Sequence, residues 1–297
     1  MKDNNKTSSN TQKVKKRSMM AEIWRNFKKN KGAMIGLAIV FLIFVASFSA
    51  QLIYDYEEDI IKTNIMERLQ HPSKEHWFGT DQFGRDIFAR LLYGARYSLL
   101  VGLLSVFVST IVGCTLGLIA GYYGGVIENI ILRSCEIFGG IPTILLGIAL
   151  VSAFGQSIMM LIIAIGLVNV PLFSRTARAA VLSVRNQEFI EAAKACGVSD
   201  FKIIFSHILP NCVSMLTVRC TMSVAGGILS ASSLSFLGLG VPQPAPEWGA
   251  MLSSGRDFIR DYSYMTFFPG LAIMITILAI NLVGDGLRDA MDPKLKR

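Results

Sequence analysis

The sequence predicts an all-α polytopic integral membrane protein with six transmembrane helices, and three observations predict it. Of the 297 residues, 52% are hydrophobic and only 17% are charged, whereas a soluble domain carries about 25% charged residues. Mean hydropathy is correspondingly positive, +0.48. Apolar runs of crossing length recur along the chain, since a helix rising about 1.5 Å per residue needs about 20 apolar residues to cross a hydrocarbon core of about 30 Å. Lys and Arg gather in alternate inter-span segments, as cytoplasmic loops do. A soluble enzyme, a collagen-like chain and a disulfide scaffold do not fit: 26 Gly and 9 Pro have no strict period, and five Cys are few for this length.

Six segments qualify as spans: 32–53, 98–122, 126–154 with an internal break, 157–173, 212–239 and 265–284. A secretory signal peptide is the competing reading of the first. It is rejected because a 31-residue polar lead and a 22-residue apolar run exceed the usual signal regions. With the N-terminus inside, segments 1–31, 174–211 and 285–297 hold 19 Lys or Arg, and the outer segments 54–97 and 235–264 hold 8. Both termini are then cytoplasmic, and the net charge of +8 reads as a topological signal and not as a nucleic-acid surface. Residues 1–31 form a cytoplasmic tail ending in an interfacial helix, in which Met20, Ile23, Trp24 and Phe27 make a stripe between Arg25, Lys28 and Lys29. A basic flank that only fixes topology is the alternative. Residues 1–18 have almost nothing apolar and are expected to be disordered. Residues 54–97 are the extracytoplasmic segment and 287–297 the cytoplasmic C-terminal tail.

The inner loop 174–211 is too long and too patterned for a linker. Within it Gln187 to Cys196 favours helix, Gly197 interrupts, and Ser199 or Asp200 caps a second helix that is expected to run to Leu209 and stop before Pro210. Phe201, Ile204, Phe205 and Ile208 form its apolar stripe, with Asp200, Lys202 and His207 off it. Two short helices about a glycine turn suit a docking element on the membrane face; amphipathic helices resting on lipid are the alternative.

The residues of this loop also carry a resemblance. Glu191-Ala192-Ala193, Gly197 and Leu209-Pro210 resemble the EAA loop of the membrane subunits of ATP-binding-cassette importers. His207 stands where Ile is usual, a substitution associated with the peptide-importer branch. His76-Trp77-Phe78-Gly79-Thr80-Asp81, Gly84-Arg85-Asp86, Tyr93-Gly94-Ala95-Arg96, Ser235-Phe236-Leu237-Gly238-Leu239-Gly240-Val241, Trp248-Gly249, Asp285-Gly286-Leu287-Arg288-Asp289 and Asp292-Pro293 resemble the C-type permeases of dipeptide, oligopeptide and nickel importers. The resemblance implies a type I importer permease fold over residues 98–286, with a coupling loop at 186–211. It implies a plasma-membrane permease pairing with a second homologous permease, two cytoplasmic ATPases that bind ATP and Mg, and an extracytoplasmic solute-binding protein. Glu191 is then a polar contact with the ATPase and Gly197 the turn that permits close approach; Ala192, Ala193, His207, Leu209 and Pro210 complete the element. The cargo is a short peptide, or a nickel or other metal chelate. The sequence itself supports the division of labour, for it has no G-x-x-x-x-G-K-[ST] loop and no Gly-Lys dipeptide.

Charges inside apolar spans need partners, since one at mid-bilayer costs about 2.5–3.5 kcal/mol on insertion scales. Glu128, Arg133 and Glu136 sit on the third span, with Arg133 and Glu136 at i, i+3. An ion pair locking helices is the first reading, and a gate or substrate contact the second. Gly139-Gly140 and Pro142 break the same span. Arg219 lies about two turns into the fifth span and reads as snorkelling toward the inner face. Ala231 stands where relatives often carry Glu, so no substrate role is copied to that region. Gly113, Gly117 and Gly121 stand four apart on the second span and predict close helix packing, within the chain or with a partner.

No covalent or metal chemistry emerges. His71 and His76 are outside and His207 inside, without i, i+4 spacing; there is no C-x-x-C and no G-x-S-x-G. The Cys are expected to be reduced. No catalytic residue and no cofactor are assigned to this chain. A metal-chelate contact by His71 and His76 is a minor alternative. An ion-coupled transporter or channel using the intramembrane Glu and Arg, or a membrane scaffold, are readings from other classes. The first leaves the patterned inner loop unexplained, and the scaffold predicts no transport deficit on deletion.

Overall fold

The computed structural model describes residues 19–291. The tail expected over 1–18 and the Asp292-Pro293 motif lie outside them. Among the described residues there is no strand, only a bridge between Thr80 and Asp86.

Helix α1 (Met19–Phe27) docks on the far C-terminal helix, with Phe27 buried beside Ala33 and Ala290. Helix α2 (Lys31–Ile53) is capped by Asn30, whose carboxamide accepts from the Ala33 amide at 3.1 Å and donates to Asp289 at 3.2 Å. Helix α3 (Ile87–Tyr123) is the longest element, capped by Asp86. It begins eleven residues before the apolar run that signals it. Arg90 and Arg96 in its first turns gave that stretch a loop-like composition, but Arg90 is buried and donates to the carbonyls of Ile60 (2.6 Å) and Pro244 (3.2 Å).

The broken span has the predicted position. Helix α4 (Gly125–Gly139) and helix α5 (Thr143–Phe154) meet at 87° across Gly140 to Pro142. Helix α6 (Ile158–Val184) runs eleven residues beyond the predicted end at 173. The extension is helical because Ala177, Ala180 and Val181 continue the face packed on α3, while Arg175 and Arg178 had made it look like loop. Counting α4 and α5 as one bent span gives six candidate spans together with α2, α3, α6, α9 (Leu209–Phe236) and α11 (Tyr264–Met291). Helix α11 carries the first five residues of the expected C-terminal tail.

Between α6 and α9 lie α7 (Glu188–Ala195) and α8 (Asp200–Lys202); α10 (Trp248–Gly255) is extracytoplasmic by the predicted topology. The expected stop before Pro210 is absent. Helix α8 passes through a π turn (Ile203–Ile208) directly into α9. The wider turn accommodates a proline that lacks an N–H at the head of the α-helical register.

Helix α3 is the axis, packing on α6 along its length and also on α9 and α2. An added Cβ at Gly113, Gly117 or Gly121 would lie 2.6 Å from Phe173 Cβ, 2.3 Å from the Ser174 carbonyl and 2.7 Å from Val181 Cβ respectively. The small-residue repeat therefore serves packing within this chain, the nearer of the two readings of the sequence.

Candidate functional site

The inner loop folds around one glycine. Gly197 has φ +73°, in the left-handed region that favours glycine. Its N–H bonds to the Lys194 carbonyl at 2.9 Å, and the Val198 N–H to the Ala193 carbonyl at 3.1 Å. Those two bonds close a Schellman cap on α7, with Ala193 and Val198 in apolar contact with the same core. No atom lies within 4 Å of where a Gly197 Cβ would be, so the turn projects into open space.

The loop is fastened beneath. Ile190, Ile203, Ile204 and Ile208 are buried in one cluster with Leu118 of α3 and Val181 and Val184 of α6. The Tyr122 hydroxyl at the end of α3 donates to Asp200 at 2.7 Å, and the Lys194 ammonium lies 5.1 Å from the Tyr122 ring centroid. The predicted stripe of Phe201, Ile204, Phe205 and Ile208 divides: the isoleucines go inward, whereas Phe201 is 73% exposed and Phe205 is exposed beside it, ring centroids 4.6 Å apart. The π turn causes the division, because it rotates side chains away from the 3.6-residue period. Glu191, Ala192 and Gly197 are exposed too, Ala193 and Leu209 are half-buried, and Pro210 is exposed at the head of α9. His207 is half-buried and its carbonyl accepts from Asn211 at 2.7 Å. The result is an exposed surface carrying Glu191, Gly197, Phe201 and Phe205 over a buried isoleucine base.

The intramembrane charges sort differently from the sequence reading. Arg133 and Glu136 do pair, at 2.8 Å, but both are exposed on the same helix and lock nothing together. Glu128 is the locking member: it pairs with Arg178 on α6, tying α4 to α6. In the sequence Arg178 reads only as a loop cation, because the extension of α6 is not visible in hydropathy. Arg219 is half-buried and its Nε is enclosed without a hydrogen-bond partner. Ala231 is buried between α3, α5 and α6.

On the opposite side, segments 54–86 and 240–262 form one cap. Asp81 pairs with Arg85 at 2.7 Å and faces Arg90 at 3.7 Å, all three buried. Tyr264 donates to the Gln70 (2.8 Å) and Thr80 (3.2 Å) carbonyls. Glu247 is fully buried, a residue that sequence reasoning missed. Its carboxylate accepts from the amides of Gly249 (3.0 Å) and Ala250 (2.9 Å) and from Ser98 (3.1 Å), capping α10. An acidic residue immediately before Trp248-Gly249 is the helix-start signal that was available. His76 holds Asp86 at 2.8 Å through Nδ1, with Glu67 3.6 Å from Nε2, and His71 lies against the Tyr262 and Tyr264 rings. The histidines are thus spent on separate structural contacts. Among the described residues no His, Cys, Asp and Glu group is arranged to hold a metal. A cleft of about 640 Å³ beside His76 is bordered by Tyr54, Glu58, Asp59, Lys62 and Glu67. Burial and the nearby Asp86 and Asp59 push the Tyr54 hydroxyl above its usual value. All five cysteines are free thiols.

Comparison with known proteins places this arrangement. Residues 113–297 match the family described as the binding-protein-dependent transport system inner membrane component, and residues 18–72 match the N-terminal transmembrane domain of oligopeptide transport permease C. A dipeptide transport system permease protein from Alkalihalophilus pseudofirmus is 49% identical over 275 residues, covering 93% of this chain and 90% of that one. Glutathione transport system permease proteins are 42% identical in Pectobacterium atrosepticum and 44% in Escherichia coli. They cover 94% and 93% of this chain, and 93% and 90% of their own lengths. A methionine ABC transporter captured in an inward-facing conformation shares the fold at TM-score 0.56 and 18% identity, over 68% of this chain and 96% of that one. With its bent third span and its glycine-turned inner loop, the chain belongs to the binding-protein-dependent transport system inner membrane components, the multi-pass permease subunits of ABC importers.

Proposed function

We propose that this chain is one of two permease subunits through which an ATP-driven importer moves short peptides into the cell, with both termini cytoplasmic. The observation that carries the proposal is the exposed Glu191, Gly197, Phe201 and Phe205 surface mounted on the α3 and α6 ends. An ATPase gripping this surface pushes on buried isoleucines that cannot yield without moving both helices, because packed interiors transmit displacement. Tyr122, Asp200 and Lys194 fix the angle of that lever. Glu191 gives the ATPase a polar contact, and Gly197 lets its groove approach the backbone closely. This chain itself binds no cofactor in this scheme; ATP and Mg are held by the ATPases, which do the hydrolysis. A second permease completes the route, and a solute-binding protein delivers cargo to the cap built on Asp81, Arg90 and Glu247.

Peptide as cargo is supported by the dipeptide and glutathione permeases to which the chain is similar along nearly its whole length. The His76 contacts with Asp86 and Glu67 give no support to a metal-chelate contact there. Purification in mild detergent followed by mass spectrometry tests the assembly: recovery of an ATPase and a second permease is expected, and recovery of neither overturns it. Uptake by a deletion strain offered dipeptides, longer peptides and nickel tests the cargo. A deficit in nickel alone would reject the peptide assignment.

A further inference from the structure

We propose that one face of α9 lines the translocation route and that Arg219 on it receives the C-terminal carboxylate of a passing peptide; this rests on the peptide-importer reading above. Arg219, Ser223, Gly226, Ser230 and Ser233 are spaced four, three, four and three apart, so they share one face of the helix. Ile228 and Gly227 point the other way, into α3, where a Gly227 Cβ would lie 3.1 Å from the Gly102 carbonyl. The polar face is only partly covered by this chain: Gly226 is exposed, whereas Arg219, Ser223, Ser230 and Ser233 are half-buried. No atom lies within 4 Å of a Gly226 Cβ, and a cavity of about 130 Å³ joins Gly226 and Ser230 to Thr143 of α5 and Asn169 of α6.

From Arg219 onward this face is more polar than the exposed faces of α2, α3 and α11, with exposed Met215 one turn before it and exposed Leu229 at its edge. The exposed side chains of α2 include Phe41, Leu42 and Phe48, those of α3 Leu103, Phe107 and Ile111, and those of α11 Met274 and Leu278. Ser233 donates to the Leu229 carbonyl at 2.8 Å, but the Arg219 guanidinium and the unpartnered Ser223 hydroxyl in hydrocarbon would be costly, whereas beside water they are not. Arg219 sits ten residues beyond Leu209, roughly 15 Å along the axis. Its Nε and the Ser223 Oγ are enclosed without partners, and among the described residues no carboxylate lies within ion-pair distance of it. A guanidinium held there unneutralised is matched by a planar anion that arrives and leaves, and a peptide carboxylate fits its fork of donors in a bidentate way.

The test uses the whole complex in liposomes, with the permease pair, ATPases and loaded binding protein, and a dipeptide supplied as free acid or as C-terminal amide. Arg219→Gln is expected to slow free-acid uptake about tenfold and amide uptake less than twofold, with Arg219→Lys intermediate and receptor-stimulated ATP hydrolysis near wild type. Comparing each peptide with wild type on the same receptor cancels the receptor's own preference. Equal losses for both peptides, or none, overturn the carboxylate contact. A wild-type rate that follows the anionic-lipid content of the liposomes, with Arg219→Gln insensitive to it, assigns Arg219 to lipid phosphate instead. Where the receptor rejects the amide, labelling decides: Ser230→Cys and Ser233→Cys in a cysteine-free background react with a water-soluble thiol reagent and Leu103→Cys does not, and the reverse pattern overturns the route. A wild-type complex that takes up no peptide fails the importer reading itself, a result separable from any effect of Arg219.

Discussion

Substitutions at Gly197 separate the turn from the surface it presents. With φ +73° and no atom within 4 Å of an added Cβ, the only intrinsic penalty is backbone conformation. For Ala that penalty is about 1–2 kcal/mol, and roughly 1.4 kcal/mol is tenfold in an equilibrium. Gly197→Ala is therefore expected to lower the ratio of closed to open α7 cap by about five- to thirtyfold. Gly197→Val is worse, because β-branched residues strongly resist this region. Asn and Asp tolerate it best among the non-glycine residues, so Gly197→Asn is expected to keep the turn and most of the transport. Gly197→Asp keeps the turn as well, but adds a negative charge to the proposed docking surface, which already exposes Glu188 and Glu191. The assay is receptor-stimulated ATP hydrolysis and peptide uptake in liposomes, alongside a thermal melt in detergent. Gly197→Asp is expected to melt like Gly197→Asn yet to lose coupled uptake. Full coupling in Gly197→Val would refute the need for the left-handed turn, and full coupling in Gly197→Asp would refute the docking assignment.

The other consequences concern what holds the lever and the cap. Gly117→Ala forces α3 from α6, since its Cβ would meet the Ser174 carbonyl at 2.3 Å; destabilisation of about 1–3 kcal/mol is expected from overpacking, read as a lower melting temperature. Glu128→Gln severs the tie to Arg178 and is expected to lower the melting temperature, whereas Arg133→Gln, whose partner is on the same exposed helix face, leaves it unchanged. Tyr122→Phe removes the hydroxyl donor to Asp200 and is expected to raise the ATP hydrolysed per peptide moved, with normal membrane insertion. Glu247→Ala deletes the acceptor of two buried amides and a serine hydroxyl; a loss of about 3 kcal/mol or more and poor expression are expected, checked by detergent melting and yield.

Much of the architecture was legible in the chain of residues. Hydropathy located the apolar centres of the spans, and the glycine-proline cluster at 139–142 placed the break in the third. Gly197 between two short amphipathic runs marked the inner turn. These features are local: apolar length, turn chemistry and charge bias act over a few residues and are written in order along the sequence. Helix ends were less legible. Hydropathy ended the fourth span at 173 because Arg175 and Arg178 follow, yet α6 continues to Val184 since its small residues meet the glycines of α3. Proline suggested a stop at 210, and a π turn carried the helix past it.

The sequence alone determined that this is a helical membrane protein with a patterned inner loop built around a glycine. Which charges are paired was settled by the packing of the helices. That packing matched Glu128 with Arg178 across 50 residues, sank Glu247 onto Ser98 across 149, turned Phe201 and Phe205 outward, and left Arg219 with no acid to answer it. Such choices depend on which helices lie side by side. Charge and burial are properties of neighbours in space, and the order of residues along one strand of chain does not list those neighbours.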